Sequence, residues 1–201
     1  MSNKSLKEAL AHRRSYYAIS NESPISEGEL KELIEFTIKT TPSAFNSQST
    51  RIVLLLGNQH KKLWEIVKDT LKAITSPETF INSEKKIDQS FAAGYGTILF
   101  FEDESIIHHL QETFPTYQDK FPIWSQQTSA MHQLTIWTLL EDAGFGASLQ
   151  HYNPLIDEPI HRQWAIPAHW KLIAQMPFGT PLQTPPEKEI LPLENRIKIF
   201  K

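Results

Sequence analysis

The sequence predicts an α+β fold, with a mixed central sheet flanked by helices, and three observations lead there. Apolar side chains recur three and four residues apart in several long stretches, the period of a helix with one buried face. Between them stand the compact apolar runs RIVLLL (51–56), GYGTILFFED (94–103) and KLIAQMPFG (171–179), the length of buried strands. The two kinds of segment interleave with no internal repeat and no low-complexity linker, so residues 1–201 read as one domain.

Leu6, Ala9, Leu10 and Arg13 mark a first helix that Ser5 or Ser2 is placed to cap. Ser26 followed by Glu29 is a capping box ahead of Leu30, Leu33, Ile34, Thr37 and Ile38, a second helix that Pro42 stops. RIVLLL is β-branched and continuously apolar, hence a strand, with Gly57–Asn58 turning the chain. Leu63, Ile66, Val67, Leu71 and Ile74 mark a third helix ending at the break Thr75–Ser76–Pro77. GYGTILFFED is the second core strand, and 104–114 a short helix behind it.

The longest helix spans about 123–143, apolar on nearly every side, which calls for deep burial or a partner helix; Gly144 is its left-handed cap. KLIAQMPFG is a third strand, PLQTPP a loop, and RIKIF (196–200) a last short strand.

Twenty Lys and Arg against 23 Asp and Glu leave a formal charge of −3, so no global field recruits nucleic acid or an anionic membrane, and any anion site is local. The absence of cysteine excludes a disulfide framework, a thiol nucleophile and a Cys-ligated metal. The start MSNKSLKEALAHRR has no signal-like apolar core, and the apolar runs are too short to span a bilayer, so a cytoplasmic protein is expected. His108, His109, His161 and His169 form no HExxH pattern, and no metal is expected.

Three stretches carry chemistry. Arg13 and Arg14 at the end of a helix serve either to solvate a surface or to clamp an anion, since a guanidinium fork matches phosphate oxygens and Ser15 adds a neutral donor. PSAFNSQ (42–48) is either an ordinary polar loop or a source of two amides, Asn46 and Gln48, that donate and accept along the polar edge of a flat heterocycle. In GFGASLQHYNP (144–154), Gly144 and Gly146 permit close backbone approach to a ligand, with Leu149, Tyr152 and Phe45 available to wall an aromatic ring. No GxGxxG or Walker loop occurs.

In this order, RRSYY, PSAFNSQSTR, GYGTILFFED, GFGASLQHYNP, QMPFG and NRIKIF resemble the nitroreductase family, and within it the short branch of fungal and lactic-type proteins associated with fatty-acid-dependent regulation. The resemblance covers nearly the whole chain. It implies a homodimer with two FMN sites built from both chains, the C-terminal segment extending over the partner subunit. Arg13, Arg14, Ser15 and Arg196, with Lys198 as a helper, would hold the phosphate and ribityl chain. Asn46 and Gln48 would meet the polar edge, Asn82 and Lys85 the flavin oxygen and nitrogen atoms, and Gly146, Ala147 and Ser148 would bring backbone close to the ring. Two positions depart from the family pattern: Tyr17 replaces a third arginine, and Ser49–Thr50 replaces Pro-Trp.

The implied activity is NAD(P)H oxidation with ping-pong hydride transfer through flavin N5 to a small planar nitroaromatic or quinone-like acceptor. Lys85 would act as electrostatic stabiliser of the reduced flavin; water, His151 or Tyr152 would supply protons; and Phe114, Tyr117, Phe121 and Trp124 would form an aromatic lid or plain core. The alternatives are a flavin-binding regulatory or storage protein with little turnover and a structural domain without cofactor. Turnover separates the first of these from the enzyme. No residue decides between NADH and NADPH.

Overall fold

The computed structural model describes residues 4–201. Ser5 caps α1 (Leu6–His12) in a full capping box with Glu8, and Ser26 does the same with Glu29 for α2 (Glu27–Thr40). The alternative cap Ser2 lies outside the described residues. After α1 the chain runs extended into the short β1 (Ile19–Ser20). Behind α2 come β2 (Thr50–Leu56) and α3 (Gly57–Ile74). Gly57, at φ +53°, starts that helix directly instead of forming a separate turn.

The expected break at Thr75–Ser76–Pro77 is also a start. The Ser76 side chain accepts from the Thr79 N–H and Pro77 occupies the first turn of α4 (Pro77–Lys86), where its missing donor costs nothing. A π turn, Ile87–Phe91, leads to β3 (Gly96–Asp103), whose eight residues are all buried. Next come α5 (Glu104–Thr113), α6 (Phe121–Asp142) and the two-residue β4 (Gly146–Ala147), with Gly144 at φ +92° closing α6 as expected. Then α7 (Asp157–Trp164) precedes β5 (Trp170–Pro181).

The sheet order is β1-β5-β3-β2, with β4 also on β5, and its ladders are antiparallel. A lone parallel bridge joins Ser15 to Ala147, so the mixed character expected of the sheet reduces to that one contact among the described residues.

Helices cover both faces. One layer packs Leu63, Trp64 and Val67 of α3 with Ile160 of α7 against Leu55, Leu99, Phe101 and Leu172. The other packs Leu30 of α2 with Ile136 and Leu140 of α6 against Ile98, Phe100, Ala174, Met176 and Phe178. Side chains alternate along a strand, so β3 feeds both layers, as a continuous apolar run must. On β5 the register skips Ile173, since Phe100 faces Ala174 while Phe101 faces Leu172. That extra residue switches the parity of the strand: Leu172 joins one layer and Ala174, Met176 and Phe178 the other.

RIKIF is not a strand. Leu193–Asn195 makes a single 3₁₀ turn, and Ile197, Ile199 and Phe200 are exposed. Alternating apolar residues form a strand only beside a free edge, and this tail pairs with none among the described residues.

Candidate functional site

The sheet edge places the arginine segment. The Tyr16 N–H donates to the Ala147 carbonyl at 2.9 Å, and the Leu182 N–H donates to the Ala18 carbonyl at 2.9 Å. Residues 15–18 are therefore pinned between β4 and the end of β5. Gly146 is needed for this seat. A Cβ there would lie 2.7 Å from Cγ of Tyr16, so the ring of Tyr16 fills the space that the sequence assigned to a ligand.

Opposite this segment runs the strap 183–190, and between them lies a cavity of about 890 Å³. Arg13, Arg14, Ser15 and Tyr17 line one side, and Lys188 stands on the strap. Three cations and no carboxylate line it, in a chain whose formal charge is −3. Arg14 Nη2 donates to the Pro186 carbonyl at 2.6 Å, tying the strap across the opening. The Arg13 guanidinium lies over the face of Trp137, its carbon 4.3 Å from the ring centroid. Beside the cavity wall, Lys86 Nζ stands 5.7 Å from the ring centroids of both Tyr17 and Phe91.

The other expected residues are distributed as follows. Asn46 and Gln48 sit in the turn before β2 and do not line this cavity. Phe45, Asn46 and Gln48 all have positive φ, between 49° and 57°, a conformation that costs a non-glycine residue and that the surroundings must hold. The holding groups are visible: the Gln48 N–H donates to Ser43 Oγ at 3.0 Å, and Arg51, paired with Asp103 at 2.9 Å, donates to the Gln48 carbonyl at 2.8 Å.

Phe45 gathers the candidate lid residues, with ring centroids at 4.9 Å from Phe114, 5.2 Å from Phe121, 5.7 Å from Tyr117 and 6.0 Å from Trp124. Asn82 and Lys85 lie exposed on α4, where Lys86 rather than Lys85 meets Tyr17. Gly146, Ala147 and Ser148 are buried, the Ser148 N–H donating to the Pro177 carbonyl at 3.2 Å. Arg196 and Lys198 lie exposed on the tail, and His151 is exposed. Tyr152 packs edge-on against Trp64 at 6.0 Å, and burial pushes its hydroxyl pKa up, keeping it protonated at neutral pH.

Sequence reasoning missed two buried polar networks. Under the 45–48 turn, Ser49 Oγ and Thr50 Oγ1 each donate to the Glu102 carboxylate at 2.6 Å. Burial pushes the Glu102 pKa up, and those two hydrogen bonds pull against it. Since Thr50 spends its proton on Glu102, the contact of His132 Nδ1 with Thr50 Oγ1 (3.3 Å) and with the Thr128 carbonyl (2.9 Å) assigns the proton to Nδ1. In the core, His60 Nε2 donates to the Ala92 carbonyl at 3.3 Å while Nδ1 accepts from Thr97 Oγ1 at 2.8 Å, and Thr97 accepts from Trp64 Nε1 at 3.1 Å. Every polar atom of that triad is used by the neutral imidazole. Only the Ser49–Thr50 departure from the family pattern hinted at either network.

A chain with this fold and this cationic cavity is a member of the nitroreductase family, whose model matches residues 10–180. Two proteins of Saccharomyces cerevisiae align with it nearly end to end: HBN1 is 36% identical, and the nitroreductase FRM2 32% identical, each alignment covering 96% of this chain and 95% of the relative. Nitroreductase CinD from Lactococcus lactis is 40% identical and superposes with a TM-score of 0.91 over 98% of this chain and all of CinD, in a structure that holds nicotinic acid. Further CinD structures hold chloramphenicol and 4-nitrophenol. The short fungal and lactic-type branch expected from the sequence is thus where its relatives fall. Among the described residues no helix is long and apolar enough to cross a membrane.

Proposed function

We propose that this protein is an FMN-dependent NAD(P)H oxidoreductase that reduces nitroaromatic or quinone-like acceptors. The carrying observation is the cavity of about 890 Å³ lined by Arg13, Arg14 and Lys188 without a carboxylate. Its size falls within the range of small-molecule sites, and its charge suits a phosphorylated cofactor. When bound, FMN would supply the two-electron hydride exchange that no side chain of this chain can perform.

The residues divide the remaining work. Arg13 offers guanidinium donors to the phosphate, and Arg14 exchanges the Pro186 carbonyl for a phosphate oxygen, with Ser15 adding a hydroxyl. Lys86 brings positive charge beside Tyr17 of the cavity wall, from the helix that also carries Asn82 and Lys85. Water is the proton source in this reading, since Tyr152 packs against Trp64 away from the cavity lining and burial makes its hydroxyl a weaker acid.

Asn46 and Gln48 lie outside the cavity of their own chain, which supports a homodimer in which each chain completes the other's site. The exposed apolar residues Met131 and Leu134 on α6, and Ile197, Ile199 and Phe200 on the tail, are the surface such a partner would cover. Arg196 and Lys198 would then reach the partner's phosphate site. Nicotinic acid and 4-nitrophenol in CinD, one resembling the nicotinamide donor and the other a nitroaromatic acceptor, support small planar ligands for this chain. A cytoplasmic location completes the reading.

The test is direct. Purified protein should be yellow, and its apo form should quench FMN fluorescence on binding. The holoprotein should oxidise NADH or NADPH in the presence of 4-nitrophenol or a quinone. Absence of FMN affinity refutes the cofactor; tight FMN binding with negligible turnover for every acceptor refutes the enzyme and leaves a flavin-binding regulator.

A further inference from the structure

We infer that Trp137 is a positioning residue that sets the orientation of Arg13 toward the phosphate of a bound flavin nucleotide. The inference rests on the FMN reading above and adds to it a residue of α6 that lines no part of the cavity.

Three observations converge on it. First, Arg13 is a half-buried cation on the cavity wall with no side-chain hydrogen bond or ion pair among the described residues, and its guanidinium carbon lies 4.3 Å from the ring centroid of Trp137. A guanidinium held over a ring by cation–π attraction spends none of its N–H groups on a hydrogen-bond acceptor, and those are the groups that bind a phosphate in bidentate fashion. A salt bridge would have held the arginine equally well but consumed its donors and neutralised its charge.

Second, the neighbouring Arg14 is held in a different way. It donates at 2.6 Å to Pro186 of the strap, so one of its donors is already engaged across the opening. Of the two adjacent arginines, Arg13 is the one free to engage an anion at once.

Third, Trp137 Nε1 is buried without a hydrogen-bond partner. An orphaned buried donor is a cost that phenylalanine or leucine would avoid while packing against the same Ile136–Leu140 layer. What indole offers in return is its π-face, the strongest cation partner among aromatic side chains. The side chain is better explained as a platform for a cation than as filler.

A purely structural tryptophan and a positioning tryptophan separate on one quantity, the preference for FMN over riboflavin. The two ligands share ring and ribityl chain and differ by the phosphate. Apo full-length parent, Trp137→Phe and Trp137→Leu are each titrated with both ligands by fluorescence quenching. In the parent FMN binds more tightly than riboflavin. In Trp137→Leu that preference should fall about tenfold, with riboflavin affinity within twofold of the parent, and Trp137→Phe should fall between them.

The same substitutions in an Arg13→Ala background should leave the preference unchanged, because the arginine they act through is gone; this arm decides the matter with Trp137→Phe alone if the leucine variant misfolds. Unchanged preference in both Trp137 variants, or an equal fall with and without Arg13, overturns the role of Trp137 and leaves the FMN assignment standing. A parent with no preference for FMN overturns both.

Discussion

Protonating His60 in the folded chain breaks a closed set of hydrogen bonds. Its Nδ1 accepts from Thr97 while Nε2 donates to Ala92, so a second proton has no acceptor, and the ring is 1% exposed. Burial accordingly lowers its pKa from 6.5 to about 4. A histidine whose folded pKa is depressed contributes stability that is complete above pH 6.5, where both states are neutral, and is lost as pH falls toward the folded value, because the unfolded chain takes up the proton first. At 1.36 kcal/mol per pKa unit, the loss approaches roughly 3 kcal/mol near pH 4. His60→Gln removes the titration.

Urea unfolding of parent and His60→Gln at intervals between pH 7.5 and 4.5 gives the difference in stability, in which the titrating carboxylates common to both cancel. The parent should lose about 2.5 kcal/mol relative to the variant between pH 7.5 and 4.5, with most of the change below pH 6. A difference constant within about 0.5 kcal/mol over that range refutes the neutral triad as described.

Two predictions concern the proposed cofactor site and its proposed dimer. Calorimetric titration of FMN into Arg13→Ala and Arg196→Ala should show losses of roughly 2–5 kcal/mol for each guanidinium engaged with phosphate; parent-like binding by Arg196→Ala removes the C-terminal tail from the clamp. Leu134→Glu, a charge placed on the exposed apolar side of α6, should shift light scattering from dimer to monomer and weaken FMN binding with it. A variant that stays dimeric takes that face of α6 out of the interface.

Much of the architecture was legible because local signals and tertiary demands coincided. Ser26–Glu29 is a capping box in sequence and in structure, Ser5 is one of the two caps the sequence offered for α1, and ILFF is apolar throughout because β3 is covered on both faces. Helix α4 was hidden because Ser76–Pro77 reads equally as a stop and as a cap with proline in the first turn. Helix α7 was hidden because only Ile160 of its eight residues is buried, too little for a periodic signal. RIKIF misled for the opposite reason: its alternation is real, but a strand also requires a free edge to pair with.

At the site, the arginine pair was readable as a cluster of cations in an acidic chain, and both residues line one cavity. Gly146 was readable as a close approach but not as whose: the visitor is Tyr16. Trp137, Lys86, His60 and Glu102 could not be found, because each takes its meaning from a residue distant in sequence, and periodicity carries no information about such pairs.

The extra residue at Ile173 has a bearing on how this fold tolerates insertions and deletions. Beyond it, β5 carries Phe178, whose carbonyl receives the Tyr95 N–H, then Gly179, where any Cβ would collide with the Ser20 carbonyl, and Pro181 opposite Ile19. Removing Ile173 itself would leave Leu172 opposite Phe101 and Ala174 opposite Phe100, but removing a residue past Ala174 would turn the rest of the strand over, sending Phe178 to the wrong layer and carrying the anchor of the arginine segment with it. A single-residue length change between 175 and 181 is therefore a change to the cavity beside Arg13 and Arg14, whereas the same change in the strap from 183 onward alters only the reach of a tether. Length variation among homologues should accordingly collect in the strap and stop sharply at Pro181.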